Sequence, residues 1–484
     1  MSLPPSDLQH ASDSDAPPGG TAELLSIIAA QREVIAALTA RVVALERQLG
    51  LNSRNSGKPP SSDGLKKPSR TQSLRGTSGK KTGGQKGHPG KTLCRSDKPD
   101  TTIDHFPAMC SGCGGVLDRT QATGFTVRQV FDLPEPQPLV VTEHRAYACV
   151  CARCGEQTKA SFPQGVTAPV QYGQRIGACV LYLLHYQFLP EKRLAALMAD
   201  LFSVTIATAT IARISQDAAA RFQKFAESVR DQVALAPVKH LDETGFRTGG
   251  KTQWLHVACT MLLTFYRVCA RRGSLLANVT GTVVHDHWKP YYTMPNVTHA
   301  LCNAHHLREL QALIEIEKED WACKMQRLLR RACHAVNLAR QQDIALDPHL
   351  LGLIDRRYRA ILTEGFAFHE AQDPLVPVSK QAKRRGRPKR RTGHNLLLRL
   401  RERKLDVLRF LTNPNVPFTN NQAERDGRMM KLRQKISGGF RSGEGASDFA
   451  VIRTLISTAR KQGWDMLTAL SAEPEKLIAK LQTA

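Results

Sequence analysis

No stretch of this chain approaches the roughly 18 consecutive apolar residues that a membrane-spanning helix needs. Its opening, MSLPPSDLQH, lacks the basic and then apolar order of a secretory signal. A membrane protein and an exported one are thereby set aside, and a cytoplasmic, nucleoid-associated protein is expected. Cysteine is sparse, 12 in 484 residues, and Cys179, Cys259 and Cys333 stand singly in apolar stretches. A disulfide scaffold is excluded, and reduced thiols are expected at those positions. Acidic residues are outnumbered, 43 Asp and Glu against 68 Lys and Arg, for a formal charge of +25. That imbalance points to a polyanionic partner, because neutralised phosphates release counterions. An anionic membrane surface would use the same charge, but nucleic acid is the expectation. The length and a 41% hydrophobic content suggest about three domains.

Residues 1–20 are rich in Pro, Ser, Asp and Gly without periodicity and read as disordered. From Leu24, the positions Leu24, Ile28, Gln31, Ile35, Leu38, Val42, Leu45 and Leu49 step by four and three. This heptad seam predicts a parallel coiled coil over 21–51 that makes a homo-oligomer, the alternative being a helix packed on its own protein. Residues 52–100 hold twelve Lys and Arg against three Asp among Gly, Pro and Ser. They read as a disordered basic linker, either simply solvated or lying along a DNA backbone.

Cys110-Ser-Gly-Cys113-Gly and Cys151-Ala-Arg-Cys154-Gly are paired knuckles. Tetrahedral zinc wants four thiolates, and each Cys-x-x-Cys turn presents two from one tight loop. A structural Zn²⁺ held by Cys110, Cys113, Cys151 and Cys154 is expected within a ribbon over 101–170. The segment between the knuckles reads as β-hairpin, and Cys149 competes with Cys151 as a ligand. Residues 171–232 turn helical, and 189–218 has the rhythm of two short helices joined near Phe202–Val204. As a helix-turn-helix it would present Thr208, Thr210 and Arg213 to DNA bases; a plain helical hairpin explains the same residues.

From Pro237 short apolar strands follow one another: three hairpin strands, then strand and helix in alternation, the order of an RNase H-like mixed sheet. Asp242 falls within or just after the first strand and Asp286 at the end of the fourth. Those strands are neighbours in such a sheet, so both carboxylates can share a site. A third acid is expected on a helix far downstream, in Asn420-Asn421-Gln422-Ala423-Glu424-Arg425-Asp426, where Glu424 and Asp426 compete. In-line cleavage of a phosphodiester needs charge stabilisation at both entering and leaving oxygens. Two Mg²⁺ (or Mn²⁺) ions about 3.5–4 Å apart supply it, and hard oxygen ligands suit them. Glu424, Arg428, Lys431 and Lys435 share one helical face, and Met429, Leu432 and Ile436 form an apolar stripe. The following Ser-Gly-Gly-Phe-Arg-Ser-Gly, residues 437–443, reads as a phosphate cradle with Phe440 stacking on a base and Arg441 beside it, or as a Gly-rich turn.

Taken in order, the NSRNSGKPPSSDG and GGQKGHPGK blocks, the knuckles, HLDET, VVHDHWKPYY, CNAHHLREL and NNQAERDGRMMKLRQKISGGFRSGEGA resemble bacterial transposases of the insertion sequence 66 type. The resemblance covers nearly the whole chain. It assigns the acidic triad to Asp242, Asp286 and Glu424, and it implies a helical insertion at about 307–403 and accessory proteins encoded by the same element. Two departures stand out. Asp286-His287-Trp288 replaces a DGY-like sequence, and Cys302-Asn303-Ala304-His305 replaces a CWAH-like one, leaving His305 as either a helper near the metals or a structural histidine.

One segment stands outside the resemblance: residues 383–391, whose Arg385-Gly386-Arg387-Pro388 core has the make-up of a minor-groove hook or of a solvated basic loop. The expected architecture is a multidomain α+β protein. It joins a coiled coil, a zinc ribbon and a helical DNA-binding module to an RNase H-like catalytic core over 233–440, with a helical region over 441–484. The expected function is a transposase that cuts and joins double-stranded DNA at the ends of its element. The alternatives are a metal-dependent nuclease that does not join, and a DNA-binding regulator or inactive remnant.

Overall fold

A computed structural model describes residues 20–52, 55–56, 94–132, 139–163, 165–273, 276–372 and 390–482. The start expected to be disordered, most of the basic linker, and Arg385 and Arg387 lie outside these residues.

Helix α1, Gly20–Gly50, is continuous. Its seam residues Leu24, Ile28, Ile35, Leu38, Val42, Leu45 and Leu49 are all exposed, so the seam is not packed on this chain among the described residues. Its end is docked: Arg47 pairs with Glu317 at 2.7 Å, and the buried Asn55 just beyond donates to Glu315.

The chain divides into two compact units, one of residues 1–71, 173–190 and 212–484, the other of 72–172 and 191–211. In the smaller unit, β1 (Ala148–Val150) and β2 (Gln157–Lys159) pair antiparallel around the second knuckle. The hairpin expected between the knuckles is not formed by the described residues there. Val130, Val140 and Val141 have strand composition but stand about nine-tenths exposed. A strand needs a partner ladder, which composition does not supply.

Helices α2 (Gln174–Leu181), α3 (Glu191–Phe202) and α4 (Thr208–Leu235) follow. Pro190 precedes α3 as expected, but α4 runs 28 residues and is no short helix. Its apolar spacing continues through Phe222, Phe225, Val229 and Val233, all fully buried, which carries it into the core of the larger unit.

That core is built on a five-stranded sheet of β3 (Val238–Thr248), β4 (Lys251–Cys259), β5 (Thr264–Cys269), β6 (Gly281–His285) and β7 (Val297–Leu301), in the order β5-β4-β3-β6-β7. The first three are antiparallel, and β6 and β7 join in parallel. Gly249-Gly250 closes the β3–β4 hairpin with φ of +53° and +79°, the two positive angles a tight hairpin turn requires. Gly281, φ +73°, opens β6 where a Cβ would lie 2.7 Å from the Pro237 carbonyl oxygen. This close approach lets β6 enter beside β3.

Between β7 and the next sheet-packing helix lie α5 (Asn303–Ala312), α6 (Asp320–Gln341), α7 (Pro348–Glu370), α8 (Thr392–Glu402) and α9 (Lys404–Thr412), around a separate core that includes Trp321, Tyr358 and Leu397. Then come α10 (Asn421–Ser437), α11 (Gly443–Lys461), α12 (Met466–Ser471) and α13 (Pro474–Ala479). Period-two alternation sends Val283 into the core shared by α4, α11 and α12, and Val284 into the insertion's core on the opposite face. The C-terminal helices thus complete the sheet's packing. No helix among the described residues is long and apolar enough to cross a membrane.

Candidate active site

The β3–β6 register pairs His240 with Val284. Carried two residues further, it sets Asp242 beside Asp286, which immediately follows β6. Both share the parity of Val284, so they project from one face. Helix α10 lies against β3 and β4 on that face: a Cβ on Gly427 would stand 3.7 Å from Val257 and 3.9 Å from an Asp242 oxygen. Glu424 is one turn earlier on the same helix.

The three acids repel one another. Burial, reinforced by Glu243, Asp286 and Glu424, pushes the Asp242 carboxyl well above the usual range. Burial and Glu243 raise Asp286 as well. Their hydrogen bonds are local: Asp242 accepts the Glu243 N–H at 2.9 Å, and Asp286 accepts the Trp288 N–H at 3.1 Å. Glu424 has Arg428 at 3.3 Å, His305 at 3.9 Å and Arg308 at 4.0 Å. Two buried carboxyls held above their usual range, with Glu424 acting on Asp242, form an oxygen-rich centre that a divalent cation would relieve, so the residues fit hard metal ions.

The competing acids are engaged elsewhere. Asp426 meets Lys461 at 2.8 Å and accepts from Thr264 at 3.1 Å, tying α10 to α11 and β5. Glu243 accepts from Arg272 at 2.7 Å and from the Tyr291 hydroxyl. The Arg272 guanidinium in turn lies over the rings of Trp288, at 4.3 Å, and Trp254, at 5.1 Å.

Sequence reasoning passed over Asn420. This residue is buried, and its side chain does not cap α10. It reaches His240 Nδ1 and donates to the Leu241 carbonyl, each at 2.8 Å, while its backbone N–H meets Cys302 Sγ at 3.0 Å. It pins the start of α10 to the strand segment beside Asp242. The only signal in the sequence was its place four residues before Glu424.

Other expected residues fare unevenly. Arg428 and Lys435 are exposed on α10, while Lys431 donates to the Gly245 carbonyl at 2.6 Å. The apolar stripe is corrected. Ala423, Gly427, Met429 and Met430 are buried, whereas Leu432 and Ile436 stay exposed. Phe440 is buried, packing on Phe246 and Phe449 with the Arg433 guanidinium 3.5 Å over its ring, while Arg441 in the same turn is exposed. On α4, Arg213 faces outward, but Thr208 and Thr210 are half-buried.

The two knuckles repeat one bonding pattern. Cys110 N–H donates to Gly115 and Gly114 N–H to Cys110; Cys151 N–H donates to Glu156 and Gly155 N–H to Cys151. Each pairs its own thiols, and hydrogen bonds from the partner thiol's loop hold Cys110 and Cys151 below the usual thiol range. Cys149 sits in β1 instead. The four knuckle thiols do not gather into one cluster. Among the described residues, the one group of three such donors lying within 4.8 Å is Cys302, His305 and Glu424. None of the twelve cysteines forms a disulfide.

An acidic centre on a mixed sheet, Cys-x-x-Cys knuckles and a charge of +25 define a class, the metal-using proteins that act on nucleic acid. The chain belongs to the Transposase IS66 family, which matches residues 169–448. The zinc-finger binding domain of transposase IS66 matches residues 107–155, and a family of unknown function matches 20–93. No curated protein matches this chain.

Proposed function

We propose that this transposase binds the ends of an insertion sequence as double-stranded DNA and cuts and joins them at Asp242, Asp286 and Glu424. The observation that carries this reading is the β3–β6 register of His240 with Val284, which supports Asp242 next to Asp286 when extended two residues, with charge from Asp286 and Glu424 acting on Asp242. The sheet order, three antiparallel strands followed by two parallel ones, supports an RNase H-like core. The reaction is hydrolysis of a phosphodiester at each end and attack of the freed 3′-OH on target DNA.

Asp242, Asp286 and Glu424 would hold two Mg²⁺ or Mn²⁺ ions, which when bound stabilise charge on the entering and leaving oxygens. Asn420 positions α10 against β3. Arg272 and Tyr291 keep Glu243 from joining the centre as a fourth free acid. Arg428, Lys435 and Arg441 are placed for phosphates, as is Arg213 on α4. Thr208, Thr210 and Lys431 would have to turn from their present surroundings to reach DNA. Cys110, Cys113, Cys151 and Cys154 would hold the structural zinc, and the exposed α1 seam would join copies of the chain as a coiled coil.

The test uses purified full-length protein, Mg²⁺ and the DNA flanking its own gene. Wild type should cut and then join, and Asp242→Asn, Asp286→Asn and Glu424→Gln should each abolish cutting. Cutting that survives these changes refutes the assignment. Cutting without joined products indicates a nuclease, and end binding with no cutting indicates a regulator.

A further inference from the structure

Beside the hard-oxygen centre lies a set of donors of different character. Cys302 follows β7 at the head of α5, and His305 comes three residues later on the same helix. Glu424 reaches them from α10, with Oε1 4.0 Å from Cys302 Sγ and 3.9 Å from His305 Nδ1. All three ligand atoms lie within 4.8 Å of one another. Ligands of a tetrahedral zinc ion, bonded at about 2.0–2.3 Å, stand roughly 3.4 Å apart. Small side-chain rotations would therefore close the set.

Burial and the nearby Glu424 push the free Cys302 thiol up to about 12, so the sulfur ligates only by giving up its proton to the bound metal. The Asn420 N–H meets Sγ at 3.0 Å, the kind of bond that orients a metal's sulfur ligand. His305 Nδ1 is buried with no hydrogen-bond partner.

We propose that Cys302, His305 and Glu424 form a separate site for one thiophilic divalent cation, Zn²⁺ foremost, with a fourth position open to water. Binding displaces the thiol proton to solvent as the zinc–sulfur bond forms. Soft sulfur and imidazole select zinc over Mg²⁺, whereas Asp242 and Asp286 offer only hard oxygen. One consequence rests on the proposed function: zinc here draws Glu424 away from the other two acids and antagonises Mg²⁺-supported cleavage.

The experiment loads full-length wild type, Cys302→Ala and His305→Ala with Zn²⁺, desalts them and counts zinc per chain. Circular dichroism verifies that each is folded. Both variants should hold one equivalent less than wild type, while Cys110→Ala loses only the knuckle ion. Equal zinc in wild type and a folded His305→Ala or Cys302→Ala overturns the site, and if Cys302→Ala does not fold, His305→Ala decides alone. In cleavage assays with Mg²⁺, the Zn²⁺ concentration that halves the rate should rise at least about tenfold in His305→Ala. An unchanged value there overturns the antagonism. If no protein cleaves, the proposed function fails while the zinc count still decides this site.

Discussion

Glu424 and Asp426 lie two residues apart and carry the same charge, yet their surroundings differ. Asp426 and Lys461 are each mostly buried and bonded to one another. Replacing Asp426 with Asn leaves an ammonium without its counter-charge, which should cost roughly 2–4 kcal/mol in chemical denaturation. Glu424→Gln should cost little by the same measure, since its cationic neighbours stand at 3.3 Å or more, and should instead abolish cleavage. The reverse pattern would move the active carboxylate to Asp426. A second acid carries a pH dependence. Burial and the neighbouring Glu317 raise the Glu319 carboxyl to about 7, while Trp321 donates to it at 2.6 Å. The folded state then binds a proton that the unfolded chain has released, so stability falls as pH rises from about 4.5 to about 7 and is level above. Glu319→Gln, which keeps an acceptor for Trp321, should flatten that slope and stabilise the protein at pH 8 by on the order of 1–3 kcal/mol. Denaturant titrations at pH 5 and pH 8 check it.

At the scale of elements, the site depends on how α10 meets the sheet. Asn420→Ala deletes two buried hydrogen bonds and leaves the Leu241 carbonyl and His240 Nδ1 without those partners. It should lower stability by about 2–3 kcal/mol. It should also slow cleavage while end binding is retained, because Glu424 loses its placement and no exposed cation is touched; gel shift and cleavage on the same DNA separate the two effects. Much of this level was readable in advance. The succession of strands, with Asp242 within the first and Asp286 at the end of the fourth, follows from alternation and turn residues, which are local properties. The length of α4, the buried Phe440 and the exposed Leu432 and Ile436 were not readable. Each depends on which surface reaches that part of the helix or turn, and periodicity carries no such information.

Across the whole molecule, α1 presents an exposed seam that is apolar but for Gln31, and Arg47 and Asn55 at its end dock it to Glu317 and Glu315. Ile35→Asp with Leu38→Asp should therefore shift the protein to monomer in light scattering without lowering the denaturation midpoint of the sheet unit. A lowered midpoint would mean that the seam packs on its own chain. The sequence by itself determined the polyanionic partner class, the paired knuckles, the heptad seam, the strand bearing Asp242 and the strand that ends just before Asp286. Composition, spacing and period are properties of adjacent residues. Only the tertiary structure engaged Asp426 with Lys461, tied Asn420 to the strand beside Asp242 and brought Cys302 and His305 to Glu424. Those outcomes rest on contacts between residues more than a hundred positions apart for Cys302 and Asn420 and 35 apart for Asp426 and Lys461, and such contacts exist only once the sheet has set the helices around it.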